Sequence, residues 1–438
     1  MVEQNSFRIA IDGFNLSLAR GTGVATYART LSRATSDLGY SIDILYGLNI
    51  SAQSSPLMRE IRFFELLASQ EQRKPVRVFS KSWFKRRKED ISRPEISEIP
   101  ISHLIDSRSF AERLPVFNRL LNADNLFNRA ARYFARTGKF MTLRIASPPD
   151  VMHWTYPLPI RLEGAANIYT IHDVVPLRLP HTTLDNKPHY FSLLKKIGRL
   201  ADGICTISEA SKKDILSFFP EMEPKLYNCY QSCDTTRPAF TRSAEESLAE
   251  IEADFGLSSQ SYFIFYGSLE PKKNIGRIIE AFLASKSQRK LVLVGAMAWK
   301  EEQELRYLEH GISTGRIIKI DYLPERTLFA LLKHARALLF PSLCEGFGLP
   351  VIEAMSLGVP VLASNEGALA EIGGDAVLKA PAYEIEALTK AIIRLDHENE
   401  LCEKLVSAGY SQVKKFSMSD YQNRLSRLYS DVLSSMQK

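Results

Sequence analysis

The apolar positions of this chain fall into short continuous runs separated by stretches with helical spacing. Phe7 to Asp12, Ser41 to Tyr46, Val151 to Trp154 and Ile168 to Ile171 each predict a buried strand, and Cys205 opens another that runs into a helix capped by Ser208 or Ser211. Phe263 to Gly267, Leu291 to Gly295, Ile317 to Asp321 and Leu338 to Phe340 repeat the pattern in the second half. Val24 to Thr35, Pro56 to Leu67 and Ser109 to Phe140 carry helix-like spacing instead; the last offers Phe110, Leu114, Phe117, Leu120, Leu121, Phe127 and Phe134 as apolar faces. Strands alternating with helices in both halves predict an α/β protein of two doubly wound, Rossmann-like domains facing a cleft. The strand pattern lapses over Gln231 to Gln260, where an acidic helix spans Ala244 to Phe255. The expected division is 1–240, carrying a basic helical insertion at about 53–148, then 258–416, then a final helix over 417–438.

One stretch combines several of these signals. Ala335 to Pro360 reads as a strand, a loop marked by Pro341, Gly346 and Gly348, and a short helix opened by Pro350 and closed by Gly358 and Pro360. Loop amides converging on the positive end of a helix make a site for an anion. Glu345 lies in the loop and Glu353 eight positions on, so one carboxylate can face a ligand ahead of the helix while the other lies alongside it. The string Glu345, Gly346-Phe347-Gly348-Leu349-Pro350, Glu353-Ala354-Met355, Gly358-Val359-Pro360-Val361 resembles the Glu-x7-Glu signature of retaining glycosyltransferases of family 4, which have the GT-B fold.

Elsewhere, Gly21 and Gly23 punctuate a loop between the first strand and the next helix, a geometry that brings amides close to phosphate, although the full G-x-G-x-x-G fingerprint is absent. The resemblance places this loop across the cleft from a donor diphosphate. His172-Asp173 stands at a strand's C-terminal end, where open α/β sheets hold ligands, and His172 resembles the family's cleft histidine that contacts the transferred sugar. In Tyr266-Gly267-Ser268-Leu269-Glu270-Pro271-Lys272-Lys273-Asn274, the resemblance gives Lys273, or its neighbour Lys272, to the diphosphate. Many relatives carry arginine where this chain has Ser268, so either Lys272 or the serine hydroxyl replaces that contact. Glu353 would bind the nucleotide's ribose, Glu345 the sugar, and the amides of Gly346 to Leu349 would face sugar and phosphate. The surrounding motifs look most like bacterial polysaccharide mannosyl- and rhamnosyltransferases, which implies a GDP-sugar donor and a lipid-linked saccharide acceptor.

Composition narrows the setting. The 438 residues are 45% hydrophobic, enough for two or three domains. The five cysteines form an odd count without a C-x-x-C pair, which argues against a disulfide framework or a zinc site. No D-x-D sequence occurs, so lysines and amides rather than a metal are expected to take the diphosphate, with no cofactor. With no signal-like or 18-residue apolar run, the expected location is cytoplasmic. From Leu57 to Arg144 there are 19 basic against 10 acidic residues, while the whole chain carries only +6. The run Lys81-Ser82-Trp83-Phe84-Lys85-Arg86-Arg87-Lys88 fits peripheral contact with anionic lipid on the inner face of the plasma membrane, or an ordinary solvated face. Nucleic acid is not expected, since no accompanying binding motif occurs. A UDP-sugar transferase, a GT-B phosphorylase or epimerase, and an inactive scaffold subunit are the alternatives; the last two sit poorly with an intact Glu-x7-Glu string, His172 and lysine loop.

Overall fold

The computed structural model describes residues 7–18, 23–69, 92–102, 104–111, 113–296 and 307–436. Gly21 and the basic run 81–88 lie outside them. The first half contributes β1 (Arg8–Asp12), β2 (Ser41–Tyr46), β3 (Ile96–Ile99), β4 (Arg119–Ala123), β5 (Met141–Leu143), β6 (Val151–Trp154), β7 (Ile160–Leu162), β8 (Ala166–Thr170), β9 (Gly203–Thr206) and β10 (Leu226–Asn228). Eight of these form one sheet in the order β10-β9-β8-β6-β1-β2-β4-β3, while β5 and β7 pair with each other. All neighbours in the large sheet are parallel except β3, which closes the edge antiparallel to β4. The second half adds β11 (Tyr262–Tyr266), β12 (Lys290–Val294), β13 (Ile317–Ile320), β14 (Ala337–Phe340), β15 (Val361–Ser364) and β16 (Leu378–Ala380). They form an all-parallel sheet in the order β13-β12-β11-β14-β15-β16. Every residue of β11 and β14 is buried, as unbroken apolar runs such as Tyr262–Tyr266 require when helices cover both faces. Two such sheets across a cleft give the GT-B architecture.

The strand orders reverse between β1 and β6 in the first sheet and between β11 and β14 in the second. Open α/β sheets bind ligands beyond the carboxyl ends of strands at such switch points. His172 follows β8, next to β6; Lys272 and Lys273 follow β11; Glu345 follows β14. Sheet topology therefore brings together four side chains that sequence spreads over 174 positions.

The expected helix over Ser109 to Phe140 is corrected. Only Leu126–Thr137 is α-helical; Arg108–Phe110 is a single 3-10 turn and Arg119–Ala123 is β4. Pro115 disfavours the helical conformation just before it, and Leu120-Leu121 bury on opposite faces of the sheet rather than one face of a helix. The segment 53–148 thus completes the first sheet with β3 and β4 and is not a purely helical insertion. The last helix, Met418–Met436, packs on the first sheet: the Tyr429 hydroxyl lies 2.8 Å from His153 Nδ1, and His153 Nε2 lies 2.9 Å from Thr170 Oγ1. Among the described residues no helix is long and apolar enough to cross a membrane.

Candidate active site between the two sheets

The loop Ser342–Gly348 leaves β14 and is tied down on both sides of the cleft. Within its own half, Leu343 N–H donates to the Lys272 carbonyl at 2.8 Å. Asn274, held at φ 64° and buried, donates from Nδ2 to Pro341 O at 3.0 Å and Ala382 O at 2.6 Å. The lysine loop and the glutamate loop are therefore one rigid unit. Across the cleft, the Ser208 and Ser211 hydroxyls donate to Gly346 O at 2.7 and 3.0 Å. A Cβ at Gly346 would sit 2.5 Å from the His172 carbonyl oxygen, so only glycine lets the two loops touch. Glu371, on the helix Gly367–Gly373, accepts the N–H groups of Glu209 and Ala210 at 2.9 and 2.7 Å, completing the cap of the first-half helix Glu209–Phe218 from the opposite half.

These contacts place His172, Lys272, Lys273, Glu345 and the loop Gly346–Leu349 together. Lys273 Nζ lies 2.6 Å from Glu345 Oε1 and 5.0 Å from the centre of the Phe340 ring. Burial alone would raise the Glu345 pKa; Lys273 and Lys272 outweigh it and hold the carboxyl below its ordinary value. Burial likewise opposes the Lys272 ammonium, yet Asp173, Glu345 and Glu270 more than compensate and hold its pKa above the usual lysine value. The site thus keeps the Lys272 ammonium and the Glu345 carboxylate charged without a ligand, with Lys273 paired to Glu345. Next to them, the N–H groups of Gly346, Phe347, Gly348 and Leu349 make no hydrogen bond among the described residues. Gly348, at φ 107°, turns the chain into the helix Leu349–Ser356. Four free amides beside two lysines can take the oxygens of a diphosphate.

His172 sits opposite. Its Nε2 lies 2.8 Å from the Thr155 carbonyl and must donate to it, which leaves Nδ1 as an acceptor. Burial lowers the His172 pKa, outweighing the Thr155 hydrogen bond and Asp173, so the ring is held neutral. Tyr27 braces it edge-on with ring centres 4.8 Å apart. Thr155 is itself fixed by Asp12, whose Oδ2 accepts the Thr155 N–H and whose Oδ1 accepts the Phe14 N–H at 3.1 Å. An open cavity of about 380 Å³ lies against His172, with Lys272 and Glu270 on its second-half side.

Glu353 stands apart from Glu345. It is buried, with Oε2 accepting from the Tyr266 hydroxyl at 2.6 Å and Oε1 lying 3.3 Å from Arg237 Nη2. Arg237 also pairs with Glu325 and stacks on Phe240 and Phe329 at 5.1 and 5.4 Å. Burial raises the Glu353 pKa against the pull of Arg237 and Tyr266. The Phe347 ring is buried against Phe416, so its backbone and not its side chain is left to meet a ligand. Ser268 is exposed, and Gly23 opens the helix Gly23–Asp37 with nothing near the position of a Cβ. Sequence gives Arg237 and Glu371 no signal, since a lone polar residue in a linker or helix carries no local pattern; Asp12 and Tyr266 close β1 and β11, a position where a polar group is informative.

Comparison with known proteins agrees with the fold. Residues 249–412 match the family described as glycosyl transferases group 1. The chain is 30% identical over 267 residues to O-antigen chain mannosyltransferase B of Escherichia coli, covering 59% of this chain and 68% of that protein. It is 28% identical over 405 residues to the MMP alpha-(1->4)-mannosyltransferase of Mycolicibacterium hassiacum, covering 86% and 87%. Against the serotype-specific mannosyltransferase WbdA of Escherichia coli it is 25% identical over 276 residues, covering 61% of this chain but 34% of that longer protein. In fold it is similar to sucrose-phosphate synthase from Thermosynechococcus elongatus, with a TM-score of 0.64 at 18% identity over 98% of this chain and 100% of that one. The chain belongs to the group 1 glycosyl transferase family.

Proposed function

We propose that the chain is a retaining, metal-independent mannosyltransferase that moves mannose from GDP-mannose onto a lipid-linked saccharide in bacterial surface polysaccharide synthesis. The observation that carries this is the Lys273–Glu345 pair set beside Lys272 and four unengaged amides, opposite a neutral His172. Lys272, Lys273 and the amides take the diphosphate, whose developing negative charge they stabilise as the bond to the sugar breaks. Glu345 orients the sugar hydroxyls from one side and His172 Nδ1 from the other. The bond from the sugar C1 to the diphosphate oxygen breaks, C1 bonds to the acceptor oxygen on the same face, and the acceptor's proton passes to the departing phosphate. Glu353 reads the ribose through its buried carboxylate, with Arg237 and Tyr266 fixing its direction. Mannose is favoured by the names of the sequence relatives. Peripheral membrane contact is supported by Leu57, Met58 and Ile61, which are exposed together along the helix Pro56–Ala68.

A thermal-shift panel of GDP-mannose, GDP-rhamnose, UDP-glucose and the free nucleotides tests the donor. A ligand at a hundred times its Kd stabilises by about 2.7 kcal/mol. GDP-mannose should give the largest shift, in the presence of chelator as in its absence; a larger shift with UDP-glucose, or loss of the shift in chelator, refutes the proposal.

A further inference from the structure

The cavity beside His172 has a first-half wall that none of these roles uses. Tyr156, Asp173, Thr183, Leu184, Asp185 and Tyr190 line it, opposite Glu270 and Lys272. Asp173 spends Oδ1 on the Val175 N–H at 3.1 Å, and its carbonyl accepts from the Tyr190 hydroxyl at 3.0 Å, so both groups are fixed in place. Thr183 Oγ1 is buried without a hydrogen-bond partner, and the exposed Asp185 carboxylate makes no hydrogen bond or ion pair among the described residues. An unpartnered threonine hydroxyl and a free carboxylate on a shared wall suit a polyol: carboxylates accept from sugar hydroxyls, and tyrosine faces cover the C–H face of a pyranose. The volume, near the lower end for small-molecule sites, suits one sugar residue. Three carboxylates, Asp173, Asp185 and Glu270, face one cation, Lys272, which itself lies 3.7 Å from Glu270. An anionic ligand would meet repulsion on the wall where it had to bind.

We infer that this cavity is the acceptor subsite and that it takes an uncharged terminal pyranose, ligated by Asp185, Asp173 and Thr183, so that any phosphate-bearing carrier stays outside it. This rests on the transferase reading above and adds the charge class of the accepting sugar and the residues that hold it. Wild-type protein with GDP-mannose is offered octyl glycosides of mannose, glucose, galactose and N-acetylglucosamine, and the matching octyl glucuronide and galacturonide. Neutral glycosides should accept and the uronides should not. Asp185→Asn and Thr183→Val should each raise the acceptor KM about tenfold, the scale of one lost hydrogen bond, with the GDP-mannose KM and thermal shift unchanged. Asp185→Lys should bring the uronides into use. Equal use of uronides by the wild type, no transfer to any neutral glycoside while GDP-mannose still binds, an unchanged acceptor KM in both variants, or a raised donor KM overturns the assignment. No thermal shift with any nucleotide sugar refutes the transferase reading itself.

Discussion

Arg237 couples stability to the buried Glu353 carboxylate, and replacing it by methionine gives a prediction with a definite pH dependence. Its side chain is 20% exposed and that of Glu353 only 8%, so the pair is largely out of water. Methionine keeps an apolar stem against Phe240 and Phe329 but leaves Glu353 with Tyr266 as its one hydrogen-bond partner among the described residues. Breaking a buried pair costs about 3–5 kcal/mol when the remaining charge stays buried. The Tyr266 hydrogen bond, of the charged kind worth about 1.5–3 kcal/mol, survives, so a loss of about 3 kcal/mol is expected near pH 8. Glu325 is 41% exposed and loses little. Burial already raises the Glu353 pKa above the unfolded value. The folded protein therefore retains a proton there where the unfolded chain has lost it, and stability falls as pH rises from the unfolded value through the folded one. Removing Arg237 raises the folded value further and widens that window. The cost of R237M should thus shrink by about half or more near pH 5, where Glu353 can be neutral and still bond to Tyr266. Urea unfolding of wild type, R237M, E353Q and the double variant at pH 5 and pH 8 measures this, and the cycle isolates the pair. An R237M cost that is the same at both pH values, or a double variant that loses the full sum of the single losses, refutes it.

Three further outcomes follow from the site. If His172 orients the donor sugar as proposed, H172A should lower kcat by about 10²-fold and weaken nucleotide-sugar binding by no more than about tenfold, the scale of one hydrogen bond; because burial lowers its pKa, kcat should show no loss of this group's contribution between pH 8 and pH 7. E371A removes the carboxylate that binds the N–H groups of Glu209 and Ala210 across the cleft, and a larger radius of gyration by X-ray scattering, with each half's unfolding midpoint retained, is the expected sign of a looser cleft. N274A deletes two buried hydrogen bonds and puts alanine at φ 64°, so it should cost about 2–4 kcal/mol and weaken nucleotide binding together, as read by thermal shift with and without ligand.

What could be read along the chain was whatever repeats or packs locally. The strands Ser41–Tyr46 and Val151–Trp154 and the helix Ala244–Phe255 have the bounds their apolar and capping patterns predict. The strand–loop–helix around Glu345 was legible because glycine, proline and carboxylate spacing are all short-range. Over Ser109–Phe140 the same spacing misleads: apolar residues three and four apart imitate a helix face, and only pairing with β2 and β3 makes Arg119–Ala123 a strand. β15 and β16 carry little pattern of their own: β16 is three residues with a lysine at its centre, and β15 offers only Val361-Leu362-Ala363 before Ser364.

By itself, the sequence determined the class of fold, the glutamate string and the lysine loop, because hydrophobic periodicity and turn chemistry act between neighbours. Only the tertiary structure decided that Lys273 pairs with Glu345 rather than standing free, that Glu353 is held by Arg237 and Tyr266, and that Asp12 aims His172 through Thr155. Each of those contacts joins residues from 17 to 143 positions apart, and burial, which sets whether a charge must be paired, exists only once both sheets have closed around it.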